Sequence, residues 1–132
     1  MAVAQEFLDK WKQMIETGDR SVLEDLVADD ATFRSPAFWA PKESKEYLMT
    51  ILGAVNSGFD EFKIAREWVQ DDRIIFEFDA KLGEIGMKGI DILSVNEDGK
   101  LQELEVLIRP INALMAMAEH VKDAFKQPGA AA

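Results

Sequence analysis

The hydrophobic period of this chain changes from 3.6 to 2 near residue 62, and that switch restricts the fold to helices packed against an antiparallel sheet. Before it, Phe7, Leu8, Trp11, Met14 and Ile15 recur at helical spacing and Gly18 follows as a stop, which predicts a helix over about residues 3–17. Ser21, with Glu24 three residues on, has the form of a capping box ahead of Val22, Leu23, Leu26 and Val27, so a second, short helix should complete a hairpin. Asp29-Asp30-Ala31 reads as a turn into a short extended piece, residues 32–35, ended by Pro36. Pro41 stands at the expected first position of a third helix, whose stripe is Tyr47, Leu48, Ile51, Leu52 and Val55 and which closes at Asn56-Ser57-Gly58.

After the switch, Phe62, Ile64, Arg66 and Trp68 alternate with Lys63, Ala65 and Glu67, and beyond the turn at Asp71-Asp72 the residues Phe76, Phe78, Ala80 and Leu82 alternate with Glu77, Asp79 and Lys81. A turn over residues 83–86, a long strand over 87–95, a turn at Asn96-Glu97-Asp98-Gly99 and a strand over 101–109 complete a four-stranded antiparallel meander. Pro110 ends it, and Leu114, Met117, Ala118, Val121 and Phe125 form one face of a last helix.

Asp91 interrupts the apolar run of the third long strand at a position that alternation assigns to the inner face. A carboxylate left uncompensated there costs several kcal/mol, so it must find partners, take up a proton, or border a cavity. Met87, Gly89 and Leu93 share its face, and the neighbouring strands add Phe76, Phe78 and Ala80 on one side and Leu104, Val106 and Ile108 on the other. An apolar concavity with one acid in it results. The opposite face carries Glu77, Asp79, Lys81, Glu103, Glu105 and Arg109, together with Ile75, Ile90, Ile92 and Leu107, four apolar residues able to form an association surface.

Composition removes several classes of function. With 15 Lys and Arg against 25 Asp and Glu, the formal charge of −10 opposes phosphate backbones and anionic lipid, so nucleic acid is not an expected partner. No Cys is present and His120 is the single imidazole, so thiol catalysis, disulfides and thiolate or His-rich metal sites drop out, and no metal or cofactor is expected. The 132 residues, 48% of them apolar, suit one domain, residues 1–132. The N-terminus lacks a basic region followed by an apolar run, and no stretch approaches the roughly 18 apolar residues of a membrane span, so the expected compartment is the cytoplasm and no membrane partner is expected.

The helix hairpin, Ala28-Asp29-Asp30-Ala31-Thr32 leading to a strand ended by Pro, the third helix, and Ile90-Asp91-Ile92 ahead of Asp98-Gly99-Lys100-Leu101 together resemble the NTF2-like superfamily, in its SnoaL and ketosteroid-isomerase branch. The resemblance covers about residues 5–110; the last helix, about residues 111–126, is an extension, and residues 127–132 are expected to be a disordered tail. It implies an α+β cone in which a curved antiparallel sheet wraps on N-terminal helices, with a pocket at the open end and homodimerisation through the outer face of the sheet. It also implies that Asp91 is the oxyanion-hole acid, kept protonated by an apolar site so that it donates a hydrogen bond to a carbonyl. The general-base Asp of ketosteroid isomerases falls on Ser35, which cannot abstract a carbon-bound proton, and their oxyanion-hole Tyr falls on Trp11, an N–H donor but a poorer acid. In the limonene epoxide hydrolase type an Arg precedes the Asp by two positions; here that residue is Gly89.

Around Asp91 the candidate ligand-contacting residues are Trp11, Phe33, Ser35, Phe38, Trp39, Phe76, Phe78, Met87, Leu104, Val106 and Ile108. Phe38 and Trp39 stand out because they lie in the loop between Pro36 and Pro41, where apolar bulk suits a pocket rim. For each aromatic residue, Trp68 included, plain core packing is the competing account. Asp91 itself could be a structural acid satisfied by backbone or by Trp11. Arg34 reads as a solvated charge that could meet a ligand carboxylate, Asp29-Asp30 as a solvated pair, Glu103 and Glu105 as surface charges, and His120 as facing solvent. Two functions fit: a binding module for a small hydrophobic or polyketide-like molecule oriented by Asp91 and Trp11, or a cyclase, isomerase or hydratase in which protonated Asp91 polarises a substrate carbonyl. The binding module is preferred, because no inward-facing base other than Asp91 can be named.

Overall fold

The structure is a computed structural model and describes residues 2–126. The tail expected over residues 127–132 lies outside the described residues. Helices α1 (Ala2–Thr17) and α2 (Arg20–Leu26) form the hairpin, followed by strands β1 (Val27–Arg34) and β2 (Lys42–Glu43), helix α3 (Lys45–Gly58), strands β3 (Asp60–Gln70), β4 (Arg73–Leu82), β5 (Ile85–Val95) and β6 (Leu101–Arg109), and helix α4 (Ile111–Phe125). The strands make one curved, open sheet in the order β2-β1-β6-β5-β4-β3. No helix among the described residues is long and apolar enough to cross a membrane.

The antiparallel meander β3–β6 follows the period-2 pattern. Phe76 pairs with Asp91 and Asp91 with Val106, while Phe78 pairs with Gly89 and Gly89 with Ile108, so all six share the inner face. Gly89 is required there because the Phe78 ring and the Leu107 carbonyl occupy the space a side chain would need. The β4–β5 turn is tighter than expected: Leu82 pairs with Ile85, and Gly83 takes φ +62°, the left-handed conformation that glycine adopts without a Cβ penalty.

The first half of the chain departs from its sequence reading in three places. Asp19, not Ser21, caps α2: its Oδ1 accepts from the Ser21 amide at 2.9 Å and from the Ser21 hydroxyl at 2.6 Å, because the chain turns into the helix directly after Gly18. The expected turn at Asp29-Asp30 is strand. α2 passes straight into β1, which runs parallel to β6, and the register slips between Val27 and Thr32, where Asp29 and Asp30 sit exposed. Pro41 does not start α3. Lys42 and Glu43 form β2 against β1, and Ser44 is the N-cap, its hydroxyl accepting from the Tyr47 amide at 3.1 Å.

A fourth departure lies in β3. The register shifts between Ile64, opposite Phe78, and Arg66, opposite Glu77, so an extra residue at Ala65 flips the rest of the strand. Arg66 and Trp68 therefore lie on the outer face, not in line with Phe62 and Ile64. Trp68 is half exposed there, with the Arg66 guanidinium 5.7 Å from its ring. Glu77, which alternation places on the outer face, is covered at the centre of that face. Lys88 donates to its carboxylate at 2.7 Å and Arg66 at 2.6 Å, and these hydrogen bonds, that from Lys88 foremost, hold its pKa below the usual carboxylate range.

The core lies between the concave face and the helices. Phe7, Leu8 and Trp11 from α1, Leu48 from α3, and Ile74, Phe76, Leu93, Leu101 and Leu104 from the sheet are almost fully buried. Lys12 reaches Glu67 at 2.6 Å and ties α1 to the edge strand.

Candidate functional site

Side chains do not fill the whole concave face. A cavity of about 530 Å³ remains between the sheet and helices α1, α3 and α4, a size that suits a small organic ligand. Asp91 borders it. Its cross-strand neighbours are Phe76 and Val106 and its neighbours along the same face are Gly89 and Leu93, so the carboxyl looks into apolar surroundings. Among the described residues no hydrogen bond or charge offsets this burial, and desolvation alone pushes its pKa up to about 8. The group is therefore mostly protonated at pH 7, a neutral O–H donor aimed at a cavity.

Trp11 is the second donor. It stacks on Phe7 with ring centroids 5.4 Å apart, which fixes the indole, and it lines the cavity although only 2% of the residue is accessible. Among the described residues the indole N–H has no hydrogen-bond partner and no buried side-chain nitrogen is both sealed off and unpaired, so the N–H keeps some access to open space. Ser35 directly follows β1. Extending the β1–β6 register by one residue sets it level with Val106, the partner of Asp91, so Ser35 stands two strand spacings, about 10 Å, across the sheet from the acid. Its hydroxyl accepts from the Ala37 amide at 2.9 Å, a turn that orients the loop leaving β1.

Of the residues expected around Asp91, the cavity wall includes Trp11, Phe33, Ser35, Phe38, Phe78, Leu104, Val106 and Ile108. Three do not reach it. Trp39 is 98% exposed, because the loop after Pro36 turns its side chain away from the fold. Phe76 and Met87 share the inner face but lie where it is covered by packed core, at 0% and 6% exposure, and the cavity begins beyond them. Trp68 is excluded by the bulge. His120 is not solvent-facing: its Nε2 lies 2.8 Å from the Ala54 carbonyl oxygen, and Gly58 leaves the space that its ring occupies. Arg34 is paired with Glu103 at 2.8 Å across the β1–β6 step.

The helical half of the wall was not legible as a site. Met14 and Ile15 from α1, Tyr47 and Ile51 from α3, and Met117 and Phe125 from α4 all border the cavity, yet in sequence each belongs to a helical stripe indistinguishable from ordinary core. Phe59 and Phe62 close another side, stacked at 5.6 Å and both packed on Phe78.

No protein-family model and no curated protein matches the sequence. Solved structures do. A steroid delta-isomerase from Pseudomonas aeruginosa superposes with a TM-score of 0.90 at 31% identity, over 96% of this chain and 93% of that one. A bacterial protein with a cystatin-like fold from Silicibacter pomeroyi gives a TM-score of 0.86 at 25% identity, over 92% of this chain and 86% of its own. An NTF2-like protein from Mesorhizobium loti shares the fold alone, with a TM-score of 0.73 at 14% identity over 83% of this chain and 93% of that one. With sheet order, the inward acid of β5 and a relative at 31% identity over nearly its whole length in agreement, this chain belongs to the NTF2-like superfamily, in its ketosteroid-isomerase-like branch.

Proposed function

We propose that this protein binds a flat, apolar small molecule carrying a ketone or phenol oxygen, which accepts hydrogen bonds from protonated Asp91 and from the Trp11 indole. The observation that carries this reading is an acid with no partner among the described residues, pushed up to about 8, at the wall of a predominantly apolar cavity. A neutral carboxyl left without a partner gains by meeting a ligand oxygen, and the surrounding aromatic rings supply contact area. The probe that tests it is androst-4-en-3-one, titrated by calorimetry. Binding should be steady from pH 6 to about 8 and weaken roughly tenfold per unit above that, as Asp91 ionises and loses its donor. Asp91→Ala should weaken binding at pH 7 about tenfold or more. Affinity that is flat to pH 10, or unchanged by Asp91→Ala, removes Asp91 from the contact.

A second reading, an isomerase, cyclase or hydratase in which Asp91 polarises a substrate carbonyl, is favoured by the 31% identity to the Pseudomonas aeruginosa steroid delta-isomerase. Ser35 at the position of the family base argues against isomerisation of that type.

The working form in this reading is a homodimer joined through the outer face of the sheet. Trp68, Ile75 and Ile92 follow one another across β3, β4 and β5, with Ile90 and Leu107 beside them, and Trp68, Ile75 and Leu107 are 50%, 36% and 47% exposed. Ile92→Lys should convert the dimer to monomer without unfolding it, read by light scattering together with circular dichroism. A parent protein that is monomeric at micromolar concentration overturns the assignment.

A further inference from the structure

We propose that α4 is a hinged wall of the cavity, released as one unit about Pro110, and that the contact of His120 with the Ala54 carbonyl is the latch that sets how often it opens. The latch is a property of the fold by itself; that its opening admits a molecule to the cavity rests on the ligand reading above.

α4 follows β6 at Pro110, and no side chain caps its first turn. Its packing is thin. Of its 15 residues Ala113 and Met117 are buried, while the next stripe round the helix, Leu114, Ala118, Val121 and Phe125, borders the cavity. Polar ties are as sparse. Glu119, Lys122, Asp123 and Lys126 make no ion pair among the described residues, whereas Lys12 ties α1 to Glu67 at 2.6 Å and Lys45 ties α3 to the Glu24 carbonyl at 2.9 Å.

His120 supplies the tie that α4 does have. Its Nε2 lies 2.8 Å from the Ala54 carbonyl oxygen, and since a carbonyl can only accept, that nitrogen carries a proton and donates it. The ring reaches this carbonyl because Gly58 has no side chain: a Cβ there would stand 2.5 Å from Nε2 and 2.8 Å from Cδ2 of the imidazole. Release costs little. The Ser57 hydroxyl donates to the same carbonyl at 3.0 Å, so the carbonyl keeps a partner when His120 leaves, and the imidazole N–H then meets water.

A helix of 15 residues set free in water does not hold its own hydrogen bonds, so each release opens its amides to exchange. Hydrogen exchange read by mass spectrometry therefore reports the motion in the protein alone. The amides of α4 should exchange together, at least about tenfold faster than those of β5. His120→Ala should quicken α4 about 3- to 10-fold, the worth of one neutral hydrogen bond, and His120→Gln, whose amide N–H has a similar reach, should restore the parent rate. Gly58→Ala sets two effects against each other. The backbone at Gly58 is not left-handed, so Ala favours the helix and would slow exchange if room for the ring did not matter; the latch requires faster exchange, and requires that this increase vanish once His120 is Ala. Exchange of α4 in step with β5, a gradient that frays from Phe125 inward, or slower exchange in Gly58→Ala overturns the latch. For the cavity the probe is androst-4-en-3-one in stopped flow. In His120→Ala its association and dissociation rates should rise by the same factor as exchange, with Kd unchanged, because opening is common to both directions. Rates that do not move overturn α4 as the route into the cavity, and a parent that binds no steroid counts against the ligand reading while exchange still decides the latch.

Discussion

Replacing Asp91 with Asn should stabilise the folded protein by an amount that grows with pH, from near zero at pH 4 to several kcal/mol at pH 8 and above. The sign follows from proton linkage. Burial raises the folded-state pKa from 3.8 to about 8, so between these values the folded protein binds a proton that the unfolded chain has released. In that window each added pH unit costs the native state up to about 1.4 kcal/mol at this group. Below pH 3.8 both states are protonated and nothing is lost; above pH 8 the cost is complete and constant. Asn is nearly isosteric with the protonated acid and cannot ionise, so it escapes the whole series. Urea unfolding of parent and variant in parallel at pH 4, 6, 7 and 8.5 measures the difference, in which all other titrating groups cancel. A difference that stays flat across this range would mean that Asp91 is ionised in the native state, and that something other than apolar wall faces it.

Ser35→Asp should raise steroid delta-isomerase activity over that of the parent by a factor of about 10² to 10⁴, the usual worth of a positioned general base. Ser35 already holds the geometry that an Asp needs. Its side chain accepts from the Ala37 amide at 2.9 Å, a contact that an Asp oxygen reproduces while the second oxygen stays free to take a carbon-bound proton. The residue is level with Val106 and thus in the row of Asp91, so one planar ligand can meet the carbonyl donor and the new base together. Adding Trp11→Tyr replaces a weakly acidic N–H by a phenol and should raise the rate further, because a stronger acid stabilises a developing dienolate better. Absorbance of the conjugated enone formed from a 3-oxo-Δ5 steroid reports the reaction, and Asp91→Ala in the same background should abolish it. Rapid turnover by the unmodified protein would place the base at another residue. A Ser35→Asp variant that binds the steroid but gains no activity would show that residue 35 does not face the reacting carbon.

The contrast between Asp91 and His120 shows where sequence reasoning reaches and where it stops. Asp91 lies in a strand paired on both sides, where side chains alternate strictly, so its inward direction follows from the identities of Met87, Gly89 and Leu93 alone. The four-stranded meander, the inner face of β4 to β6, and the α+β class carry the same two-residue signal and were readable without coordinates. His120 sits on a helix face whose neighbour is another helix, and only the crossing of α4 over α3 decides that its ring meets the Ala54 carbonyl instead of water. Ala65 is a related case: nothing in its chemistry announces a bulge, yet the slip there sends Trp68 to the outer face and reverses its expected role. The cavity belongs to this second kind. Its acid and sheet floor follow from alternation along the chain. Its volume and helical wall, with Tyr47 among the residues of that wall, depend on how far α1, α3 and α4 stand from the sheet. Periodicity says which face of an element is apolar; the tertiary packing decides whether that face is filled or left open.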